Sequence, residues 1–135
     1  MITALDSSVL LDVIADSPEH ADSSERELRR ASAEGALIVC ECVLAEVRPA
    51  FNNGKDFVEF LTDWHLEFVA SSRESAALAG EHFARYIRRG GRAGRVLPDF
   101  LIGAHALLHA DRLLARDRGY LRDYFSKLPL WQPGS

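Results

Sequence analysis

The sequence has few of the features that place a chain in a membrane or outside the cell. It contains only two cysteines, Cys40 and Cys42, which stand too close together to form a useful disulfide staple. No apolar run approaches the roughly 20 residues of a membrane-spanning helix. The N-terminus also lacks the basic start and apolar block of a secretion signal. We therefore expect a cytoplasmic protein with reduced thiols and no membrane partner.

Positive charge is scarce overall and concentrated in one segment. The formal net charge is -4, which does not match nucleic acid over the whole surface. The segment RYIRRGGRAGR contains no acidic residue and holds five arginines, Arg85, Arg88, Arg89, Arg92 and Arg95. Such a run either contacts the phosphates of a nucleic acid or forms a solvated helix end and loop. Residue types alone leave both alternatives open.

Buried strands alternate with helices along a chain of ordinary composition. The 135 residues are 47% hydrophobic and 27% charged, which predicts a single globular domain over residues 1–135. Apolar runs predict strands at 2–6, 36–40, 66–70 and 112–115, and LPLWQP predicts a final edge strand. Helical spacing of apolar residues separates these strands. This alternation predicts an α/β fold, a three-layer α/β/α sandwich with a central parallel sheet of four to five strands.

Helix boundaries follow from residues with known positional preferences. Pro18 is suited to the start of the second helix and Gly35 to its end. Pro49 is expected to end or bend the helix that follows the second strand. In the first helix Asp12 lies off the apolar stripe, and the segment DFLIGAHALLHA, residues 99–110, is apolar nearly all round, as expected of a helix packed inside the fold.

Four acidic residues stand near the carboxyl ends of predicted strands. Asp6 ends the first strand and Glu46 lies one turn into the helix after the second. Asp99 opens the buried helix, and Asp117 follows the fourth strand. Sites in parallel α/β sheets gather beyond these strand ends, so we expect the four acids to share one rim. Clustered carboxylates suit Mg²⁺ or Mn²⁺, ions that can assist phosphodiester hydrolysis by activating water.

Simpler roles are available for each acid. Aspartate is a favoured N-cap residue, and Asp6, Asp99 and Asp117 all stand where helices are predicted to begin. Glu46 interrupts an apolar stripe, and its simpler role is that of a partly exposed glutamate on a helix flank. Glu41 follows the second strand directly, so it is an alternative to Glu46 as the acid that this strand contributes to the group. The spacing suggests a metal site without establishing one.

Four motifs occur in the order found in PIN domains, namely LDSSVLLD, LAEV, PDFLIGAHAL and LLARDRGYLRDY. Over essentially the whole chain they resemble PIN domains, and most closely the small VapC-like toxins of toxin–antitoxin pairs. The resemblance implies a Mg²⁺- or Mn²⁺-dependent endoribonuclease that cuts RNA and inhibits translation. It also implies a cognate antitoxin whose peptide covers the acidic cleft, and a homodimer. The alternative is a catalytically silent module that keeps the fold and binds RNA or protein.

The resemblance implies a role for each matching residue. Asp6 and Asp99 would be the principal metal ligands, and Ser8 would support them. Glu46, which matches the acid that the family places after LA, would orient a ligand water or bind the metal. Asp117 would act at longer range or at a second ion. The resemblance also favours RNA as the partner of the arginine run.

Two further groups of residues have open roles. His105 and His109 are four apart on one helix, a spacing that can hold zinc, but no third ligand is evident, which favours a core or edge position. Four aromatic residues of the middle helices either pack in the core or contact an antitoxin or second subunit: Phe51, Phe57, Phe60 and Trp64.

Overall fold

A five-stranded parallel sheet organises the protein. The computed structural model describes residues 1–92, 94, 96–117 and 119–134. Its strands are β1 (Ile2–Leu5), β2 (Ala36–Val39), β3 (Leu66–Phe68), β4 (Arg112–Leu114) and β5 (Leu130–Trp131). They lie in the order β3-β2-β1-β4-β5, and every neighbouring pair is parallel. The predicted fold class is confirmed, with five strands in the sheet and the last of them at an edge.

Helices connect the strands and cover both faces of the sheet. They are α1 (Ser7–Ile14), α2 (Ala21–Glu34), α3 (Glu41–Val47), α4 (Gly54–Asp63), α5 (Arg73–Arg88), α6 (Leu97–His109) and α7 (Tyr120–Tyr124). In β1 the consecutive residues Thr3, Ala4 and Leu5 are all buried. Successive side chains of a strand point to opposite faces, so burial of all three requires cover on both sides. The result is the predicted three-layer arrangement.

Proline and glycine set several helix ends. A short 3-10 helix, Arg48–Ala50, follows α3 and contains Pro49, as predicted. Helix α2 begins at Ala21, three residues later than Pro18, and ends at the predicted Gly35. A Cβ atom at Gly35 would lie 1.9 Å from the main-chain oxygen of Met1, so only glycine lets the end of α2 approach the start of β1.

The central strands, the inner faces of α1, α2 and α3, and helix α6 form the core. Phe100, Ile102, Ala104 and Ala106 of this helix are all buried, which confirms that α6 packs inside the fold. The aromatic residues of the middle helices are half-buried and packed against the core rather than exposed; they are Phe51, Phe57, Phe60 and Trp64. None of the helices in the described part of the chain is both long and apolar enough to span a bilayer.

Candidate active site

A cleft of about 380 Å³ opens at the carboxyl edge of the sheet, and all four predicted acids lie on its wall. Its lining consists of Asp6, Ser7, Ser8, Leu11, Glu46, Asp99, Arg116, Asp117, Tyr120 and Leu121. Most of these residues follow β1 or β4 directly or belong to the helix after them. Because parallel strands end at the same edge, the topology delivers these distant segments to one place.

Asp6 is both a helix cap and a wall residue of the cleft. Its backbone N–H donates to Leu114 O at 3.0 Å, which extends the pairing of β1 with β4 by one residue. Its carboxylate accepts a hydrogen bond from the backbone N–H of Ser8 at 3.3 Å and another from the Ser8 hydroxyl. The capping role considered for Asp6 is therefore present, and it holds the carboxylate of this residue, which is 9% exposed as a whole, at the rim of the sheet.

Glu46 and Glu41 face different parts of the molecule. Ser7 donates from its hydroxyl to Glu46 Oε1 at 3.0 Å, which ties α3 to the first turn of α1 beside the cleft. Glu41 instead accepts from the backbone N–H of Ser71 at 2.7 Å and from its hydroxyl at 2.8 Å. Burial opposes the charged form of Glu41, but these bonds outweigh it and lower its pKa. The structure thus brings Glu46, and not Glu41, to the acid group.

Asp99 lies inside a helix rather than at its cap. Helix α6 begins at Leu97, two residues earlier than the sequence predicts, with Pro98 in its first turn. Its N-cap residue is Val96, whose side chain forms no capping bond, and the Asp99 backbone N–H donates to Val96 O at 3.0 Å. Asp99 is half-buried on the cleft wall. The prediction that Asp99 opens the helix is wrong by two residues, and the capping alternative does not hold for it.

Asp117 organises the start of α7. Its Oδ1 accepts from the backbone N–H groups of Gly119 at 2.9 Å and Leu121 at 3.1 Å, and its Oδ2 accepts from that of Arg122 at 3.0 Å. The N-cap residue of α7 is Gly119, two residues later than the capping alternative placed it, but the Asp117 carboxylate accepts the backbone N–H bonds of this helix start. Each carboxylate oxygen has two lone pairs, so these three bonds leave Oδ2 of this cleft-lining residue able to accept one more bond.

An ion pair between a buried aspartate and a cleft-lining arginine is present where the sequence indicated none. Asp12 was expected off the apolar stripe of α1, yet it is buried. Arg116 donates to it from Nε at 2.9 Å and from Nη2 at 2.7 Å, and the Ser24 hydroxyl donates at 2.7 Å. The two ion-pair partners lie 104 residues apart, and no local pattern signals such a contact.

Tyr120 is a second wall residue that sequence reasoning missed. Its ring lies edge-on to Tyr86 of α5, with centroids 5.4 Å apart, and 5.9 Å from the ring of Phe100. Helix α7 also packs closely on α6, because a Cβ atom at Gly103 would lie 2.7 Å from the Phe125 ring. These aromatic contacts hold the start of α7 against the cleft. In the sequence, the GYLRDY segment predicts only a turn and a short helix and does not indicate that Tyr120 lines a cleft.

Four of the five arginines of the run lie in the part of the chain that the structure describes. The guanidinium groups of Arg85 and Arg89 lie 5.6 and 5.5 Å from the centroid of the Tyr124 ring on α7. Arg88 and Arg92 are exposed, and Arg95 lies outside the described residues. None of the four described arginines of the run lines the cleft. Burial lowers the pKa of His82, and the neighbouring Arg85 adds to this effect.

The two histidines of α6 contact protein groups. His105 is 1% exposed and donates from Nε2 to Val69 O at 2.7 Å, while His109 Nε2 lies 3.1 Å from the Ser72 hydroxyl. Burial lowers the pKa of His105. In the structure the two histidines therefore occupy the core or edge position that was the alternative to a zinc-binding pair.

No three of the cleft acids form a close set of potential metal ligands in the described part of the chain. Within the described ranges, only Cys40, Glu41 and Cys42 bring three potential ligand atoms within 4.8 Å of one another. Cys40 is buried, and Ser71 occupies the Glu41 carboxylate, which does not favour a metal there. Carboxylates on one cleft wall fit Mg²⁺, which does not need a close set of three because it keeps several water ligands and takes one or two carboxylates. An all-oxygen donor set of this kind suits a hard divalent ion.

Three solved structures have the same fold. A chain of VapBC2 from Rickettsia felis, solved bound to a promoter DNA fragment, is 21% identical over 98% of both chains, with a TM-score of 0.73. VapBC-1 from nontypeable Haemophilus influenzae is 18% identical over 98% of both chains, with a TM-score of 0.69. FitAcB from Neisseria gonorrhoeae is 18% identical over 97% of this chain and 96% of that one, with a TM-score of 0.66.

Sequence comparison gives the family. None of the curated proteins matches the chain significantly. The family model of the PIN domain, however, matches residues 3–125. This match covers all four cleft acids and agrees with the resemblance drawn from the four motifs. The chain therefore belongs to the PIN domain family.

Proposed function

We propose that this PIN-domain protein is a divalent-metal-dependent endoribonuclease that hydrolyses phosphodiester bonds of RNA. The observation that carries the proposal is the shared cleft of Asp6, Glu46, Asp99 and Asp117 at the carboxyl edge of the sheet. Four carboxylates on one wall repel one another unless a cation or protons reduce their charge. A divalent cation does this and prepares the cleft for a phosphate of the substrate.

The roles of the acids follow from their surroundings. Asp6 and Asp99 would hold Mg²⁺ or Mn²⁺, because both lie on the wall of the cleft at the carboxyl edge of the sheet. Such an ion supplies an activated water and stabilises the leaving oxygen. Glu46, oriented by Ser7, would accept a proton from the attacking water or fix its position. Asp117 would act at longer range or at a second ion.

Ser8 is the residue that fixes the geometry of Asp6. Its hydroxyl donates to the Asp6 carboxylate and accepts from the backbone N–H of Arg116 at 3.2 Å. One hydroxyl therefore joins the ends of β1 and β4, the two strands that deliver Asp6 and Asp117. Such a link restricts the orientation of the Asp6 carboxylate, as the residues around a metal ligand commonly do.

The proposed biological role is that of a cytoplasmic toxin that inhibits translation and is neutralised by an antitoxin. The fold is shared with chains of the VapBC structures described above, which supports this role. A cleft rich in carboxylates also favours an antitoxin segment with positive charge, by simple complementarity. The toxin is further proposed to act as a homodimer.

An RNA cleavage assay tests the enzymatic part of the proposal. Purified protein is incubated with mixed cellular RNA and Mn²⁺, alongside the Asp99→Asn variant and an Asp63→Asn control on the exposed end of α4. The wild type and Asp63→Asn are expected to cleave RNA, and Asp99→Asn is not. Equal cleavage by all three proteins would contradict the role of Asp99.

Calorimetric titration with Mn²⁺ separates the nuclease from the alternative function. A nuclease is expected to bind the ion, with weaker binding by Asp99→Asn than by Asp63→Asn. Absence of both cleavage and metal binding in the wild type would identify a catalytically silent module instead.

A further inference from the structure

Arg116 places a positive charge on the wall of an acidic cleft. It is the basic side chain among the cleft-lining residues that the structure describes. Its backbone N–H donates to the Ser8 hydroxyl, which in turn donates to Asp6, so the main chain at Arg116 is tied to the acid group. Its side chain is tied separately, through the two bonds to Asp12. Both ends of the residue are therefore fixed relative to the carboxylates.

The two partners of this ion pair differ greatly in exposure. The Asp12 side chain is 5% exposed, whereas that of Arg116 is 37% exposed. An arginine that served only to neutralise a buried aspartate would gain nothing from keeping a third of its side chain in contact with solvent. Ser24, which is fully buried on α2, donates to Asp12 and anchors it further. This asymmetry indicates that Asp12 orients Arg116 rather than the reverse.

The guanidinium group uses one side to bind Asp12, and Arg116 is one of the residues that line the cleft. Asp12 takes the Nε–H and one N–H of Nη2. The end of the group, formed by Nη1 and the second N–H of Nη2, is not used in this pair. Two parallel N–H donors at such an end match two oxygens of a phosphate group. A planar group clamped on one side is also pre-organised, so little side-chain freedom is lost when a ligand binds.

We propose that Arg116 binds a non-bridging phosphate oxygen of the RNA strand in the cleft, and that Asp12 is its positioning residue. This inference rests on the proposed function, because the acids would hold the ion at the scissile phosphate while Arg116 binds phosphate oxygen beside them. It adds a phosphate contact that is separate from the arginine run and from the proposed metal ligands. The donor is held in place before the substrate arrives, as electrostatic stabilisation of phosphoryl transfer requires.

Salt dependence of RNA binding gives a readout that a purely structural role would not change. Binding of a short fluorescein-labelled single-stranded RNA is followed by anisotropy at several salt concentrations. An Asp99→Asn background keeps the strand intact, which a gel verifies. Loss of one phosphate contact is expected to reduce the slope of log K against log salt by about 0.7 in Arg116→Gln. In the otherwise wild-type protein the same variant is expected to lower kcat/KM by about 100-fold.

Arg112 provides a matched control at the opposite end of the same strand. It donates to Glu34 from Nη2 at 2.6 Å and to Thr3 Oγ1 from Nε at 2.8 Å, and it does not line the cleft. Arg112→Gln removes an arginine from an ion pair just as Arg116→Gln does, and both are expected to lose stability. Only Arg116→Gln is expected to change the salt slope and kcat/KM. If the two variants behave alike in both readouts, Arg116 merely neutralises Asp12 and the inference is wrong.

Further variants keep the test decisive. Asp12→Asn leaves the Arg116 charge in place but weakens its anchor, so kcat/KM is expected to fall about tenfold while the salt slope stays near that of the wild type. If Arg116→Gln does not fold, the double variant Asp12→Asn with Arg116→Gln removes both charges of the pair and is compared with Arg112→Gln. If the wild-type protein neither cleaves nor binds RNA, the proposed function itself is wrong. If the wild type is active and Arg116→Gln has the same salt slope and kcat/KM as the wild type, this inference alone is wrong.

Discussion

The hydroxyl of Ser7 and the carboxylate of Glu46 are joined by a hydrogen bond of 3.0 Å that links the first turn of α1 to α3. Glu46 is an exposed residue, whereas Ser7 is buried. An exposed glutamate has several rotamers of similar energy, and a fixed donor selects one of them. Ser7 therefore determines where the Glu46 carboxylate lies relative to Asp6 on the neighbouring wall.

Replacement of Ser7 by alanine is expected to affect catalysis more than stability. Loss of one hydrogen bond costs about 1 kcal/mol of the free energy of unfolding. Release of the Glu46 side chain is expected to lower kcat for RNA cleavage about tenfold with little change in KM. Ser23→Ala is the control, because Ser23 also donates one hydroxyl bond, to His20 O at 3.2 Å, and is not part of the cleft wall. Equal kcat values for the two variants would contradict the role of Ser7.

Two substitutions separate the capping role of Asp117 from its role in the acid group. Asp117→Asn keeps the Oδ1 acceptor for Gly119 and Leu121 but removes the charge. It is expected to lose less than about 1 kcal/mol of stability, whereas Asp117→Ala, which removes the whole cap, is expected to lose about 1–2 kcal/mol. Both variants are expected to cleave RNA more slowly, since both remove the negative charge. Urea unfolding and the cleavage assay measure the two effects.

If Asp117→Asn cleaves RNA at the wild-type rate, the negative charge has no part in the reaction. The Asp117 carboxylate would then be explained entirely by the three backbone N–H groups that it accepts at the start of α7.

The strands, the parallel sheet and the position of most acids follow from local sequence patterns. Apolar runs and helical spacing identify the elements, and parallel topology then places the residues after β1 and β4 at one edge. Asp6 and Asp117 could therefore be assigned to a common rim, and Asp99 could be added because the helix that leads into a parallel strand begins at the same edge. The start of α6 was predicted too late because Val96 and Leu97 resemble loop residues after a glycine-rich segment, while Pro98 fits the first helical turn.

Contacts between distant side chains could not be predicted in the same way. The pairing of Asp12 with Arg116 joins α1 to the segment after β4, and one sequence carries no pattern for a contact over 104 residues. The sequence shows that arginines are concentrated in one segment, but it does not show which surface of the folded protein they occupy. The structure sets Arg85 and Arg89 over Tyr124, beside the cleft rather than within it.

His105 is expected to make stability depend on pH in the weakly acidic range. Burial lowers the pKa of His105 below its ordinary value of about 6.5, and burial lowers that of His82 in the same direction. The unfolded chain therefore binds more protons than the folded one in this range. The stability that depends on a neutral His105 is therefore present at pH values above the pKa of this histidine in the unfolded chain. It is lost as the pH falls through the pKa that His105 has in the folded protein.

Urea unfolding at about pH 7.5 and about pH 5.5 measures this dependence. Both pH values lie above the ordinary pKa of carboxylates, so titration of these groups contributes little to the difference. The wild type is expected to be less stable at the lower pH, and His105→Gln is expected to reduce that difference. His65→Asn changes an exposed histidine and controls for substitution alone. An unchanged difference in His105→Gln would show that burial of His105 does not couple folding to protonation.

Two glycines in neighbouring helices are expected to respond oppositely to alanine. At Gly103 of α6 a Cβ atom would lie 2.7 Å from the Phe125 ring and 2.9 Å from Leu121, so Gly103→Ala must displace α7. At Gly80 of α5 no atom lies within 4 Å of the added carbon. We expect Gly103→Ala to lower the free energy of unfolding by about 1–3 kcal/mol. Gly80→Ala should raise it by about 0.5–1 kcal/mol, because alanine favours a helix.

The same pair tests whether the cleft depends on the packing of α7. Tyr120 and Leu121 belong to this helix and line the cleft, and the carboxylate of Asp117 caps its start. Displacement of α7 by Gly103→Ala is therefore expected to slow RNA cleavage at a temperature where the variant is still folded, whereas Gly80→Ala is expected to cleave at the wild-type rate. Circular dichroism at the assay temperature verifies folding. If folded Gly103→Ala cleaves RNA at the wild-type rate, the acids hold their positions independently of α7. The cleft would then tolerate movement of the helix that forms one of its sides.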